Sequence, residues 1–168
     1  ALVAFGLEHD ELEAAFKYLM LSVVASAFIL IAIATIFGVT GSLDFSAVAR
    51  GFQDLDTKYV IGFCAALFIM GFGLKAALMP FHAWLPDAHP SAPAPISAML
   101  SGLLIKVSGV YALARIFFNV FGLTPALSTV LMYLATLSMV AAAFLALGQK
   151  DIKRMLAYSS ISQVGYIV

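Results

Sequence analysis

Residues 71–115 read GFGLKAALMPFHAWLPDAHPSAPAPISAMLSGLLIKVSGVYALAR, and the rest of the chain is read outward from them. Two lysines, Lys75 and Lys106, lie inside segments greasy enough for a lipid bilayer. Five prolines stand between them: Pro80, Pro86, Pro90, Pro93 and Pro95. His82, Asp87 and His89 occupy the same broken stretch. An ionised group in hydrocarbon costs about 2.5–3.5 kcal/mol even on the mildest scale, so it is rare and usually functional. Two such groups around one helix interruption point to a proton or cation pathway.

The totals set the class. Of 168 residues, 63% are hydrophobic and only 11% are charged, and mean hydropathy is +1.04. A soluble domain carries about 25% charged residues, so there is too little polar surface here to cover a globule in water. Net charge is zero and no basic run suggests a nucleic-acid partner. The single cysteine, Cys64, excludes an internal disulfide and a multi-thiolate metal or iron–sulfur site. There is no glycine-rich phosphate loop and no dinucleotide fingerprint, so no cofactor is expected in this chain. Both ends read as cut: ALVAFGL opens without an initiator Met or signal-peptide pattern, and Val168 falls within an apolar run.

The expected fold is all-α, a polytopic transmembrane helix bundle of about five spans. An acidic turn at 8–13 precedes a first span over 14–39, long enough for a bilayer core of about 30 Å. Lys17 in its first turns suits a lysine snorkelling to the headgroups. Leu43, Phe45, Val48 and Phe52 suit one face of a short interfacial helix capped by Ser42 or Asp44. A second span over 59–79 breaks at Pro80, which cannot donate a backbone hydrogen bond and clashes with the preceding turn. A short helical piece is expected over 81–85, then a stiff connector from Asp87 to Pro95. The third span covers 96–118, with Lys106 roughly 16 Å along its axis, near the midplane. The fourth covers 126–147 and reads as packing. An incomplete fifth covers 155–168, with Tyr158, Ser159, Ser160, Ser162, Gln163 and Tyr166 along it.

Lys75 has two readings. Its ammonium could bind carbonyls freed by the break as a static plug. Alternatively it carries protons, with desolvation lowering its pKa and a nearby carboxylate restoring it. No carboxylate at membrane depth is present in the segment. Lys106 has no proline-freed carbonyls nearby, so water, serines or another helix must satisfy it. Ser101, Gly102, Ser108 and Gly109 repeat at seven-residue spacing around it. Ser108, Tyr111, Ser159, Ser162 and Gln163 are possible relay groups. His82 and His89 titrate near neutrality and suit proton uptake, or else cap helix ends. Their spacing with Asp87 matches no standard metal site. Trp84 suits an interfacial anchor, as does the basic turn Lys150, Lys153 and Arg154. Basic residues number four on that side (with Lys17) against three (Arg50, Lys58, Arg115), which places the 148–154 turn in the cytoplasm.

LKAALMPFHAWLPDAHPSAPAPISAMLSGLLIKVSGVYALAR, DIKRMLAYSSISQVGY and EAAFKYLMLS together resemble the antiporter-like family of membrane subunits. The family includes the large pumping subunits of respiratory complex I, matching subunits of membrane-bound energy-converting hydrogenases, and Mrp-type sodium/proton antiporter subunits. The wording looks more like the hydrogenase and prokaryotic complex I branches than the A-type antiporters. The resemblance implies a fragment of a fold of about fourteen helices with two inverted five-helix repeats, running here from the sixth helix to the start of the tenth. It places Lys75 at the pumping lysine of the broken helix, Lys106 at the connecting lysine of the next, and Lys17 at a basic residue of the sixth. His82 and His89 match histidines common in several branches. Gln163 stands where some members carry histidine, a departure from the pattern. The glutamate partner of Lys75 would lie on the preceding helix, outside this sequence. The resemblance further implies a prokaryotic cell membrane, other membrane subunits and lipid as partners, and H+ (or Na+) as the ion, with redox chemistry in neighbouring subunits.

Overall fold

The computed structural model describes residues 9–54 and 58–168. The apolar stub at 1–7, the first residue of the acidic turn and 55–57 of the first loop lie outside the described residues. The described residues form helices and no strand. The helices are α1 (His9–Thr40), α2 (Phe45–Asp54), α3 (Lys58–Ala76), α4 (Leu85–Ser91), α5 (Ala94–Phe121), α6 (Pro125–Leu147) and α7 (Ile152–Ile167). Four of them, α1, α3, α5 and α6, are long and apolar enough to cross a membrane. α7 has 16 residues.

Local chemistry sets the ends. Asp44 caps α2, its carboxylate accepting from the Ala47 amide at 3.1 Å. Val48 and Phe52 of α2 turn inward, whereas Leu43 and Phe45 stay exposed, so the expected four-residue apolar face is split. Thr124 caps α6, with Pro125 at its first position, where a missing N–H costs nothing. Asp151 caps α7 by accepting from Lys153 N at 2.9 Å, which starts that helix three residues before the expected Met155.

α3 is the most enclosed of the four long helices, and α1 and α6 turn broad apolar faces outward. Helices apolar all round suit a lipid environment. The core has two parts. One surrounds the start of α3, where Phe52, Phe68, Phe117 and Phe121 pack with ring separations of 5.4–6.0 Å. The other surrounds its end and includes Leu78, Trp84, Leu85, Ile105, Ala142 and Ile161. α6 and α7 form a close hairpin. A Cβ at Gly165 would come within 2.7 Å of the Ala135 carbonyl oxygen.

α3 ends at Ala76, four residues before Pro80, whose ring would otherwise clash with that residue's carbonyl. The chain closes with Ala77 in the left-handed region (φ 54°). Leu78 N donates to Gly73 O at 2.9 Å and Ala77 N to Leu74 O at 3.2 Å, the paired bonds of a Schellman end. Residues 77–84 then run without a helix. The helical piece expected over 81–85 lies instead at Leu85–Ser91, and the expected connector is largely α4. Pro86 sits in its first turn, where proline is pre-organised for a helix.

The break is tied into the bundle by two side chains. Trp84 Nε1 donates to Leu74 O at 2.8 Å. With only 4% of its surface exposed, Trp84 is an internal brace and not the interfacial anchor its type suggested. The Met79 amide donates to Ser138 Oγ at 2.9 Å, and that hydroxyl donates to Leu134 O at 2.9 Å. α6 therefore supplies a buried hydrogen bond as well as packing. A buried donor left without its partner costs about 1–3 kcal/mol. Ser138→Ala in the complete subunit is expected to lose about that much stability, read as a lower thermal midpoint in detergent, while Ser138→Thr loses less.

Candidate functional site: the broken helix and its lysines

Lys75 occupies the last turn of α3, one residue before the helix end. Among the described residues no group accepts a hydrogen bond from its ammonium. Two carbonyls at the break are taken by others: Gly73 by Leu78 N, and Leu74 by Ala77 N and Trp84 Nε1. The plug reading of Lys75 would need one of the remaining carbonyls of the break, and none of them is hydrogen-bonded to its amine. Lys75 lines a partly open cavity of about 50 Å³ with Tyr18, Ser22, Trp84, Ile105 and Ser108. A cavity needs roughly 10–15 Å³ to hold one water, so this one has room for water beside the amine, and Tyr18 and Ser22 offer hydroxyls.

α5 is held directly against this point. A Cβ at Gly109 would meet Ala76 N and Cα at 2.6 Å, so only glycine allows the approach. The contact brings the stretch around Lys106 to the end of α3. α5 is not the regular helix the spacing implied. Over Leu100–Leu104, Lys106–Tyr111 and Phe117–Phe121 it widens into π-type turns, and the Ile105 amide bonds Leu100 O, five residues back. Such turns are often found at functional sites. Here the Ser101 carbonyl accepts from Lys106 Nζ at 2.8 Å. Lys106 thus finds a carbonyl in its own helix without a proline to free it.

Ser101 and Ser108 meet different neighbours. Ser101 Oγ lies 2.7 Å from Ser160 Oγ of α7. Ser108 faces the Lys75 cavity and bonds back to Leu104 O. Of the other relay candidates, Ser162 donates to Met139 O at 3.1 Å, a tie between α6 and α7. Tyr111, Ser159 and Gln163 are exposed on this chain and do not join either lysine. The serine of α7 that does face α5 is Ser160. No periodicity argument separates it from its neighbours Ser159 and Ser162.

At the end of the bundle where α1 and α7 begin, cations gather on α4. Lys17 Nζ lies 2.8 Å from Glu13 and 3.1 Å from Asp87, so it is paired and does not simply snorkel. Arg154 pairs with Asp87 and donates through Nε to Pro86 O at 3.3 Å. Pro86 O is the carbonyl that Pro90, lacking an N–H, leaves free. Lys153 Nζ donates to Pro90 O at 3.2 Å and Ala92 O at 3.0 Å. Lys153 and Arg154 thus clamp α4, a role beyond the anchoring their run suggested.

His89 is 3% exposed. Its Nδ1 is hydrogen-bonded to the Ser97 hydroxyl, and its Nε2 is buried with no partner. His82 Nδ1 is likewise buried without a partner, and its ring lies 6.2 Å from that of Tyr158. Both rings sit outside the four long helices. Burial holds both below the ordinary histidine pKa; for His89 the charge of Lys153 adds to it, and for His82 a bond to Pro80 opposes it. Neutral imidazoles with an open nitrogen can accept protons. Among the described residues no cluster of three metal-ligating side chains occurs.

The chain is similar to known membrane proteins over its whole length. Residues 2–168 match the family described as NADH:quinone oxidoreductase/Mrp antiporter, TM. The N subunit of the NADH-quinone oxidoreductase of Desulforudis audaxviator is 38% identical, over 100% of this chain and 34% of its own length. The D-type subunit of the Na(+)/H(+) antiporter of Alkalihalophilus pseudofirmus is 36% identical, over 99% of this chain and 34% of its own. A chain of the membrane-bound sulfane sulfur reductase, an archaeal respiratory membrane complex, superposes with a TM-score of 0.88 at 40% identity, over 98% of this chain and 34% of that one. The chain thus spans about a third of the length of the relatives it matches.

The clamp on α4 has a pH signature. Burial raises the Asp87 carboxyl pKa, but hydrogen bonds and charge from Lys17 and Arg154 outweigh it and hold the group below its ordinary value. A depressed carboxylate contributes stability above its unfolded pKa and loses it as pH falls through the folded one. Thermal stability of the complete subunit is therefore expected to fall as pH drops below the ordinary aspartate range. Asp87→Asn is less stable at neutral pH and has a flatter profile, so a parallel profile for the two proteins would exclude the clamp.

Proposed function

The chain belongs to the NADH:quinone oxidoreductase/Mrp antiporter transmembrane family, and on that premise we propose that it is the central part of a proton-translocating membrane subunit. Protons pass through Lys75 and Lys106 by way of water in the cavity between α1, α3 and α5. The whole subunit works beside other membrane subunits in a prokaryotic cell membrane, with the 148–154 turn on the cytoplasmic side. Redox chemistry belongs to those neighbours, since this chain has no thiolate cluster or nucleotide loop to support it.

The observation that carries the reading is the position of Lys75. It stands at a helix break where the Gly73 and Leu74 carbonyls are met by other groups, and it lines a cavity with the hydroxyl residues Tyr18, Ser22 and Ser108. No carbonyl of the break accepts a hydrogen bond from its amine. When a neighbouring charge approaches, the ammonium is stabilised and the proton stays. When that charge withdraws, the proton leaves through water. Lys106, held on Ser101 O, takes the next position on the far side of the Gly109 crossing. His82 and His89, neutral and with an open ring nitrogen each, supply uptake from the α4 end.

Exchange of Na+ for H+ on the same lysines is the second reading, favoured by the similarity to a protein named as part of a Na(+)/H(+) antiporter. The two readings separate in proteoliposomes containing the complete complex, since only exchange requires a sodium gradient. In either case Lys75→Ala is expected to reduce proton movement by at least tenfold with normal assembly. Lys75→Arg should fare little better, because a guanidinium does not release its proton. Normal pumping by both variants would leave the lysines static and end the proposal.

A further inference from the structure

One serine holds both ends of His89. Ser97, in the first turn of α5, is 9% exposed and His89, near the end of α4, is 3% exposed. The Ser97 hydroxyl is bonded to Nδ1 of the imidazole, and it donates to the main-chain carbonyl of the same histidine at 3.3 Å. A hydroxyl has one proton and can accept through its lone pairs. With that proton on His89 O, the bond to the ring takes its proton from Nδ1.

The other ring nitrogen points the same way by a separate argument. Nε2 is buried, and among the described residues no group reaches it. A proton there would be a donor with no acceptor, a costly arrangement that folded proteins rarely keep. A bare lone pair asks for less. The ring carries one proton and not two, because burial and the nearby charge of Lys153 both disfavour the imidazolium. That ammonium is itself fixed on Pro90 O and Ala92 O, just beyond His89.

The bond made by one imidazole nitrogen decides what the other can do. We infer that Ser97 is a positioning residue for His89: it keeps the ring proton on Nδ1 and so makes Nε2 the atom at which this imidazole takes up a proton. Uptake forms one N–H bond at the Nε2 lone pair, and release breaks it. Nδ1–H stays on Ser97 throughout, so the serine neither gives nor receives the transferred proton. Turning the ring over would break the Nδ1 bond, which holds Nε2 in one place.

The inference rests on the reading of His89 as a proton acceptor, and the experiment separates the two. The complete subunit in its complex is prepared with isotope-labelled histidine, and nitrogen NMR reads which ring nitrogen bears the proton. The signals of His89 are those lost in His89→Gln. They are expected to show Nδ1 protonated and Nε2 bare. Ser97→Ala moves the proton toward Nε2 and slows proton movement in proteoliposomes by about fivefold, the worth of one ordinary hydrogen bond. Ser97→Thr, which keeps the hydroxyl, retains the original tautomer. A serine that only ties α4 to α5 would change thermal stability and not the tautomer. A protonated Nε2 in the unsubstituted protein overturns the assignment even if Ser97→Ala fails to assemble, and an unmoved proton in Ser97→Ala overturns the role of Ser97. Normal proton movement in His89→Gln overturns the uptake reading alone.

Discussion

A helix broken inside an apolar bundle exposes backbone groups that no lipid can satisfy, and the architecture around Pro80 is the answer to that requirement. Several freed groups at the break and on α4 have partners beyond their own turn. Leu74 O is met by Trp84, the Met79 amide by Ser138, Pro86 O by Arg154, and Pro90 O and Ala92 O by Lys153. α6 and α7, with Trp84 of the break itself, thus supply partners to backbone groups between Leu74 and Ala92. The convergence is also what makes α4 part of the bundle and not a loose connector.

This arrangement sorts the cations into two kinds. Lys17, Lys153 and Arg154 sit at the bundle end, bonded to carbonyls or to Asp87, and their charge is held by short contacts. Lys75 and Lys106 lie deeper and are held far less. One faces a cavity and the other rests on a single carbonyl of a widened turn. The cations that meet free carbonyls and Asp87 on α4 are thus distinct from the two lysines of α3 and α5.

α5 shows how packing and chemistry are joined. Gly109 lets the helix touch the end of α3, and the wide turns on either side of it change which residues share a face. Ser101 and Ser108 would be stacked in a regular helix at seven-residue spacing. Instead one looks to α7 and the other to the Lys75 cavity. The two lysines are therefore served by different hydroxyls on opposite flanks of one crossing.

Much of this was legible without coordinates. Mean hydropathy and scarce charge decide for a membrane, because hydrocarbon accepts so few ionised groups. The apolar runs place the long helices, and Pro80 places the break, because a missing N–H and a steric clash act within four residues of the ring. Lys75, Lys106 and the motifs around them carry the family resemblance in the same local way. Trp84 turning inward, Ser138 serving Met79, the basic turn gripping α4 and Ser160 meeting Ser101 were not legible. Their partners lie from 10 to 68 residues away. Spacing along one helix reports only which side chains share a face. What that face meets is chosen when helices pack, and here packing was constrained by unsatisfied backbone at the break.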